Sequence, residues 1–411
     1  MPVESLPEIL APAGGREQLE SALLYGADAV YLGGTSLSLR AKSHGFTASE
    51  LKWAIGLTHR FGKKLYYCIN AFPYQHQIPD VRSQLEQCAL LQPDALIVAD
   101  PGVINLALKI CPEIPLHLST QAHSVNSEAV SLWKSIGITR INLARELNRD
   151  DIVSIIRACP GMEFEIFVHG AMCLSLSGHC LISDWANGRP ANQGLCTQPC
   201  RFEYKGMSLT VEEKKRPLQP FLEVTQEEDY SAFWAPMDLC LVRYLNDIIA
   251  MKPKCLKIEG RTKTGGYVAA VTDVYRTALD SIATGVNADI ESYVKVLSES
   301  SIRPLCSGFF LQNRRIENKA DAKARRIVAR IEEKIDDGAL HVSVKSVWNS
   351  GQTVYLLRPG MRYQQVSGSD YSLEAISGQK TSRLNPGMPG VFHHSGGIDA
   401  GHGMYLLIYE E

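Results

Sequence analysis

Short β-branched or apolar runs alternate with amphipathic stretches of about a dozen residues along the first 265 positions of the chain. "EILAP" at Glu8, "DAVYLG" at Asp28, "KLYYCIN" at Lys64, "DALIVAD" at Asp94, "PLHLS" at Pro115, "RINLA" at Arg140, "EFEIFVHG" at Glu163 and "CLKIEG" at Cys255 read as eight strands. Segments such as "GREQLESALLYG" and "SEAVSLWKSIG" place apolar residues three and four apart, as helices packed on a sheet require. Eight strands with helical crossovers in roughly 250 residues predict a TIM-type (β/α)8 barrel. A doubly wound open sheet is the competing architecture, but no G-x-G-x-x-G follows the first strand. The connection between strands seven and eight, about 170–254, is far longer than a βα loop needs, and such loops usually carry function.

The pattern changes near Arg303. The barrel with its insertion occupies 1–302, and "NRRIENKADAKARRIVARIEEK" within 303–335 reads as a basic helical or linker segment. Interleaved acids make it a solvated face; its arginines, Arg325 and Arg326 among them, also suit a polyanion-binding arm. Alternating runs "ALHVSVK", "TVYLLR", "GVFHH" and "MYLLIYEE" then predict a small C-terminal β-barrel domain over 336–411.

In a parallel barrel the reactive groups stand where strands end. The strand ends here carry Asn70, Asp100, Ser119, Gln121, Arg145, Glu146, His169, Glu259 and Arg261. Each alone reads as a helix cap or loop ion pair, but convergence on one mouth makes the set a candidate site. Gly33 and Gly34 suit either a turn or a close backbone approach to a ligand. Over 411 residues, 45% hydrophobic and 21% charged, the composition is that of an ordinary folded protein, with no apolar run long enough to span a membrane. The N-terminus lacks a basic region before an apolar stretch, so a cytoplasmic location is expected. A formal net charge of -2 gives no global case for nucleic-acid binding.

Eleven cysteines include a cluster of four, Cys173, Cys180, Cys196 and Cys200, spaced C-x6-C-x15-C-x3-C. The other seven lie in apolar or helical segments and read as small buried hydrophobes. The first gap is too wide for a zinc knuckle, and a thioredoxin-type C-x-x-C is absent. Four thiolates suit an iron-sulfur cluster better than zinc, with inert buried cysteines third.

"EIFVHGAMCLSLSGHCLIS", Glu165 to Ser183, resembles the signature of the peptidase U32 family, the collagenase-like proteases, E-x-F-x2-G-[SA]-[LIVM]-C-x4-G-x-C-x-[LIVM]-S, at every specified position. "YGADAVYLGG", "HLSTQAHSVN", "ARELNRDDI", "NQGLCTQPCR" and "KIEGRTKTGGY" extend the resemblance over nearly the whole barrel. Within the family the chain is most similar to the prephenate-dependent tRNA hydroxylation branch, which forms 5-hydroxyuridine at the wobble position. That resemblance implies a 4Fe-4S cluster on Cys173, Cys180, Cys196 and Cys200, prephenate or a derivative as cosubstrate, and the tRNA anticodon loop as partner. Cys240 stands as an alternative fourth ligand.

Sibling branches imply a 23S rRNA cytidine hydroxylase or an oxygen-independent ubiquinone-biosynthesis hydroxylase as alternatives. The intact C-x3-C-R element here argues against the quinone branch. Proteolysis is disfavoured: it needs a histidine-activated thiol, for which only His169 and His179 stand near the cluster. The catalytic candidates are therefore Arg145, Glu146, His169, Glu259 and Arg261. Asn70, Gln121, His123, Asn126 and Lys263 are candidates for holding the acidic metabolite and the extruded base, and Arg325 and Arg326 for gripping RNA phosphates.

Overall fold

The computed structural model describes residues 6–38, 45–173, 175–187, 189, 191–201, 237–311, 325–395 and 397–409, and the backbone of short strands at 203–204, 210–213, 216–223, 225–226, 231–232 and 316–318. Arg314, Arg315, Lys319 and Lys323 of the basic stretch lie outside the described residues.

All eight expected strands form. They are β1 (Glu8–Pro12), β2 (Ala29–Gly33), β3 (Lys64–Ile69), β4 (Ala95–Val98), β5 (Leu116–Leu118), β6 (Ile138–Asn142), β7 (Glu163–Ala171) and β8 (Cys255–Ile258). Each pairs in parallel with the next, and β8 pairs with both β7 and β1, which closes the barrel. The helices begin on chemistry written in the sequence. The Thr47 side chain accepts from Glu50 N while Glu50 reaches back to Thr47 N, a reciprocal cap for helix Ala48–Arg60. Asp100 and Asn126 cap the helices Pro101–Ile110 and Ser127–Ser135.

At the N-terminal end of the barrel, Arg140 is buried between Glu8 and Glu163 at 2.8 and 2.6 Å. Between β7 and β8 the chain returns as a strand, Asp238–Cys240, antiparallel to β7, and then forms the helix Leu245–Ala250. Asp238 there is fully buried on Arg303, 2.5 Å away.

The C-terminal region is an eight-stranded antiparallel sheet around a core that includes Trp348, Leu373 and Phe392. Its longest strand, Arg325–Asp336, corrects the expected helix or linker. Pairing on both sides with Ala339–Val344 and Tyr405–Tyr409, and burial of Val328, Ala329 and Ile331 in the sheet's core, override local helix propensity. The sheet docks on the helices Arg16–Leu24 and Gly265–Thr284. Tyr25 donates to Leu357 O at 2.9 Å, and the Gly360 and Met361 N–H groups donate to Asp273 at 2.6 and 2.8 Å. Gly265 and Gly266 of "KTGGY" allow this approach, because a Cβ would run into Tyr405 at the first and Ile327 at the second. No helix among the described residues is long and apolar enough to cross a membrane.

Candidate active site at the barrel mouth

The C-terminal strand ends enclose one cavity of about 120 Å3. Its wall brings together Asn70, Gln121, Arg145, Glu259 and Arg261 with all four clustered cysteines, and adds Asn142, Phe167 and Lys257. Asn70 donates to Ser119 Oγ at 3.2 Å and to Gln121 Oε1 at 3.4 Å, and the Ser119 hydroxyl donates to the same Gln121 oxygen. The ends of β3 and β5 are thereby tied into one polar rim.

Arg145 is stacked with its guanidinium carbon 3.6 Å from the centroid of the Phe167 ring. Arg261 donates to Ser38 Oγ at 2.7 Å. A Cβ at Gly33 would stand 2.7 Å from that guanidinium, so the first glycine of "YLGG" clears space for an arginine rather than for a ligand. Deeper in, the Lys257 ammonium donates to Glu165 at 2.6 Å, with both side chains at least nine-tenths buried, and lies 4.5 Å from the Tyr31 ring centroid. Glu165 entered the sequence reading only as the first residue of the signature and Lys257 only as the start of "KIEGRTKTGGY"; neither was a candidate for the site, although a lysine and a glutamate within otherwise apolar strands were the available signal. The wall therefore offers Arg145, Lys257 and Arg261 as cations and Glu259 as an anion.

The cysteine loop is fastened to the barrel on three sides. Gly170, at φ +109°, lets β7 pass the Glu259 backbone, whose carbonyl a Cβ would strike. Ser177 N donates to Glu146 Oε1 at 2.5 Å, and its hydroxyl bonds His123 Nδ1 at 2.7 Å. His179 Nε2 meets Gln121 O at 2.6 Å. Glu146 and His123 thus hold the turn between Cys173 and Cys180 and are not on the cavity wall. The buried signature serine, Ser183, accepts from Thr197 N at 2.9 Å, joining the first cysteine pair to the second. Gln198 N donates to Cys196 Sγ at 3.3 Å, which fixes the third cysteine against the turn before Cys200.

Among the described residues no three His, Cys, Asp or Glu side chains converge closely enough to hold a single ion. Tetrahedral zinc with bonds of about 2.3 Å would need its sulfurs roughly 3.8 Å apart. A multi-iron cluster takes one thiolate on each of several irons and accepts a wider spread. Cys173 is exposed, and Cys180, Cys196 and Cys200 are half-buried around the cavity. Cys240 is buried in the strand paired with β7, off that wall.

The remaining candidates stand elsewhere. A register shift between Lys257 and Ile258 on the paired β7 and β8 accompanies His169 packing against Tyr267 and Tyr275 of the helix Gly265–Thr284, with ring centroids 6.1 and 5.7 Å away. Burial, and secondarily the Lys263 charge, pushes its imidazole down to about 3. Neither ring nitrogen has a hydrogen-bond partner among the described residues. A neutral histidine in that setting is packed core and not a thiol's base. Asn126 is spent as a cap, and Lys263 lies 3.8 Å from Asp238. Arg325 is 7% exposed, with its guanidinium over the Tyr363 ring and 3.4 Å from Ser300. It lies in the seam between barrel and sheet. Arg326 beside it is half-buried.

Residues 14–320 match peptidase family U32. A Haemophilus influenzae protein named tRNA hydroxylation protein P is 34% identical over 402 residues, 87% of this chain and 87% of that protein. A Helicobacter pylori protein of the same name is 41% identical over 276 residues, 66% of this chain and 64% of that protein. The 23S rRNA 5-hydroxycytidine C2501 synthase of Escherichia coli is 33% identical over 278 residues; the aligned part spans 67% of this chain and 39% of that protein. With the signature cysteines folded into the mouth of the barrel and the match running over most of its length, the chain belongs to peptidase family U32.

Proposed function

We propose that this protein hydroxylates a pyrimidine of RNA, the wobble uridine of tRNA, to 5-hydroxyuridine, using an iron-sulfur cluster and a prephenate-type dicarboxylate. The observation that carries the reading is that four cysteines and the polar strand ends line one cavity. The relatives named for tRNA hydroxylation supply the substrate class.

Converting C5–H to C5–OH inserts one oxygen atom and takes two electrons from the base, so an oxygen donor and a terminal two-electron acceptor must come from outside the chain; a cluster held by Cys173, Cys180, Cys196 and Cys200 would relay electrons at that place. Arg145, Lys257 and Arg261 bind carboxylates, and Arg261 is held for that task by Ser38. Asn70, Ser119 and Gln121 form the polar rim that orients the second reactant. A wobble base enters at little cost because an anticodon loop already exposes it.

A peptidase reading has little support, since His169 is off the cavity and His179 Nε2 is engaged with a backbone carbonyl. Nucleoside mass spectrometry of tRNA and rRNA from a deletion strain tests the proposal. Loss of 5-hydroxyuridine from tRNA supports it, loss of 5-hydroxycytidine from rRNA moves the substrate to the ribosome, and no change in either refutes RNA hydroxylation. Iron and acid-labile sulfide in anaerobically purified protein test the cluster, and stoichiometric zinc without sulfide refutes it.

A further inference from the structure

Asn142 closes β6 facing the cavity and is 3% exposed, yet neither its Nδ2 nor its Oδ1 has a hydrogen-bond partner. Of the residues lining the cavity it alone carries buried side-chain polar atoms without a partner among the described residues. Its neighbours on the rim are committed: Asn70, Ser119 and Gln121 bond one another, Lys257 holds Glu165 and Arg261 holds Ser38. Desolvating an amide without pairing it is costly, so folded proteins nearly always pair such groups. An inward amide that the fold leaves open is a site held for something that enters.

We infer that Asn142 reads the N3–C4 edge of the incoming pyrimidine, with Oδ1 accepting from uracil N3–H and Nδ2 donating to O4. An amide presents one acceptor beside one donor, the complement of that edge and the same logic by which asparagine pairs with adenine. Arg145, 3.6 Å over Phe167 on the adjoining wall, adds a planar cation on which a base stacks. The specificity that results is for a pyrimidine whose N3 is unblocked. Cytosine, with N3 accepting and N4 donating, fits the same amide turned about its last bond, so the choice between uracil and cytosine rests on other groups.

The inference rests on the RNA-hydroxylation reading, and its test separates the two. Whole protein with its cluster is assayed on an anticodon stem-loop carrying uridine or 3-methyluridine at the target position. Wild type is expected to lose roughly 10- to 100-fold in kcat/KM on the methylated substrate, the discrimination of a good bidentate contact. Asn142→Leu, close to isosteric and without polar atoms, is expected to lose a similar factor on uridine and to shrink the gap between substrates to about threefold. Its Tm without RNA should hold or rise, because an unpaired buried amide has been removed. Asn142→Asp, which accepts but cannot donate, carries the activity comparison if the leucine variant does not fold. A fall in Tm of more than about 2 °C in Asn142→Leu, or uridine activity within twofold of wild type in whichever variant folds, overturns the assignment of Asn142 and leaves the proposed function standing. Failure of wild type to hydroxylate any stem-loop overturns the tRNA reading and the assignment with it.

Discussion

Replacing Lys257 by Met leaves the Glu165 carboxylate, whose side chain is 2% exposed, inside the barrel without the ammonium that stands 2.6 Å away. Glu165 Oε2 already lacks a hydrogen-bond partner among the described residues, so the lost ion pair has no polar substitute on that side. Breaking a buried pair from one end costs about 3–5 kcal/mol, most of it the penalty of the stranded charge. Removing both charges, as Lys257→Met with Glu165→Gln, should return all but about 1–2 kcal/mol of that loss.

Urea unfolding of wild type, both single variants and the double variant at pH 7 measures the cycle. A Lys257→Met cost below about 1 kcal/mol, or a double variant no more stable than Lys257→Met, would refute the buried pair as described.

The other expectations are more local. Ala substitution of Cys173, Cys180, Cys196 or Cys200 should each remove iron, whereas Cys68→Ala and Cys240→Ser should leave iron and sulfide near wild type. If Cys240→Ser loses as much iron as Cys200→Ala, Cys240 is the fourth ligand. Burial pushes the Asp273 carboxyl up to about 6 despite its two backbone donors. The folded state therefore holds that proton more tightly than the unfolded one, and this group's contribution to stability falls between about pH 4 and pH 6 and is constant above. Asp273→Asn should flatten that part of a urea-midpoint profile, and an unaltered profile would contradict the assignment. Gly266→Leu puts a side chain into Ile327 and should loosen the C-terminal sheet, read as faster amide exchange in the strands Arg325–Asp336 and Tyr405–Tyr409 with β1–β8 unchanged.

How much could be read from the chain differs between fold and site. The eight strands, their order and the cysteine cluster were legible because alternation, strand-end polarity and a nineteen-residue signature are local properties. That Asn70, Gln121, Arg145, Glu259 and Arg261 line one cavity followed from one rule, that a parallel barrel gathers its strand ends at one face. That rule places residues at an end of a strand but does not say which way each side chain turns.

His169 shows the difference. By position it belongs with the strand-end set, yet it packs on Tyr267 and Tyr275 beside a register shift, and only the pairing of β7 with β8 reveals that. That Glu146 and His123 bond the cysteine turn, and that Arg325 sits in the seam between barrel and sheet, was not legible either, because their partners are distant in sequence. Lys257, Glu165 and Asn142 were not among the site candidates, Glu165 appearing only as a signature position, for the complementary reason: in a strand an inward polar residue looks like any other interruption of an apolar run. What the sequence determined by itself was the periodicity that makes a barrel and the thiols it carries. Which polar groups face one another across the cavity, and which is left without a partner, was decided only when the barrel closed, because burial and pairing are properties of the assembled wall.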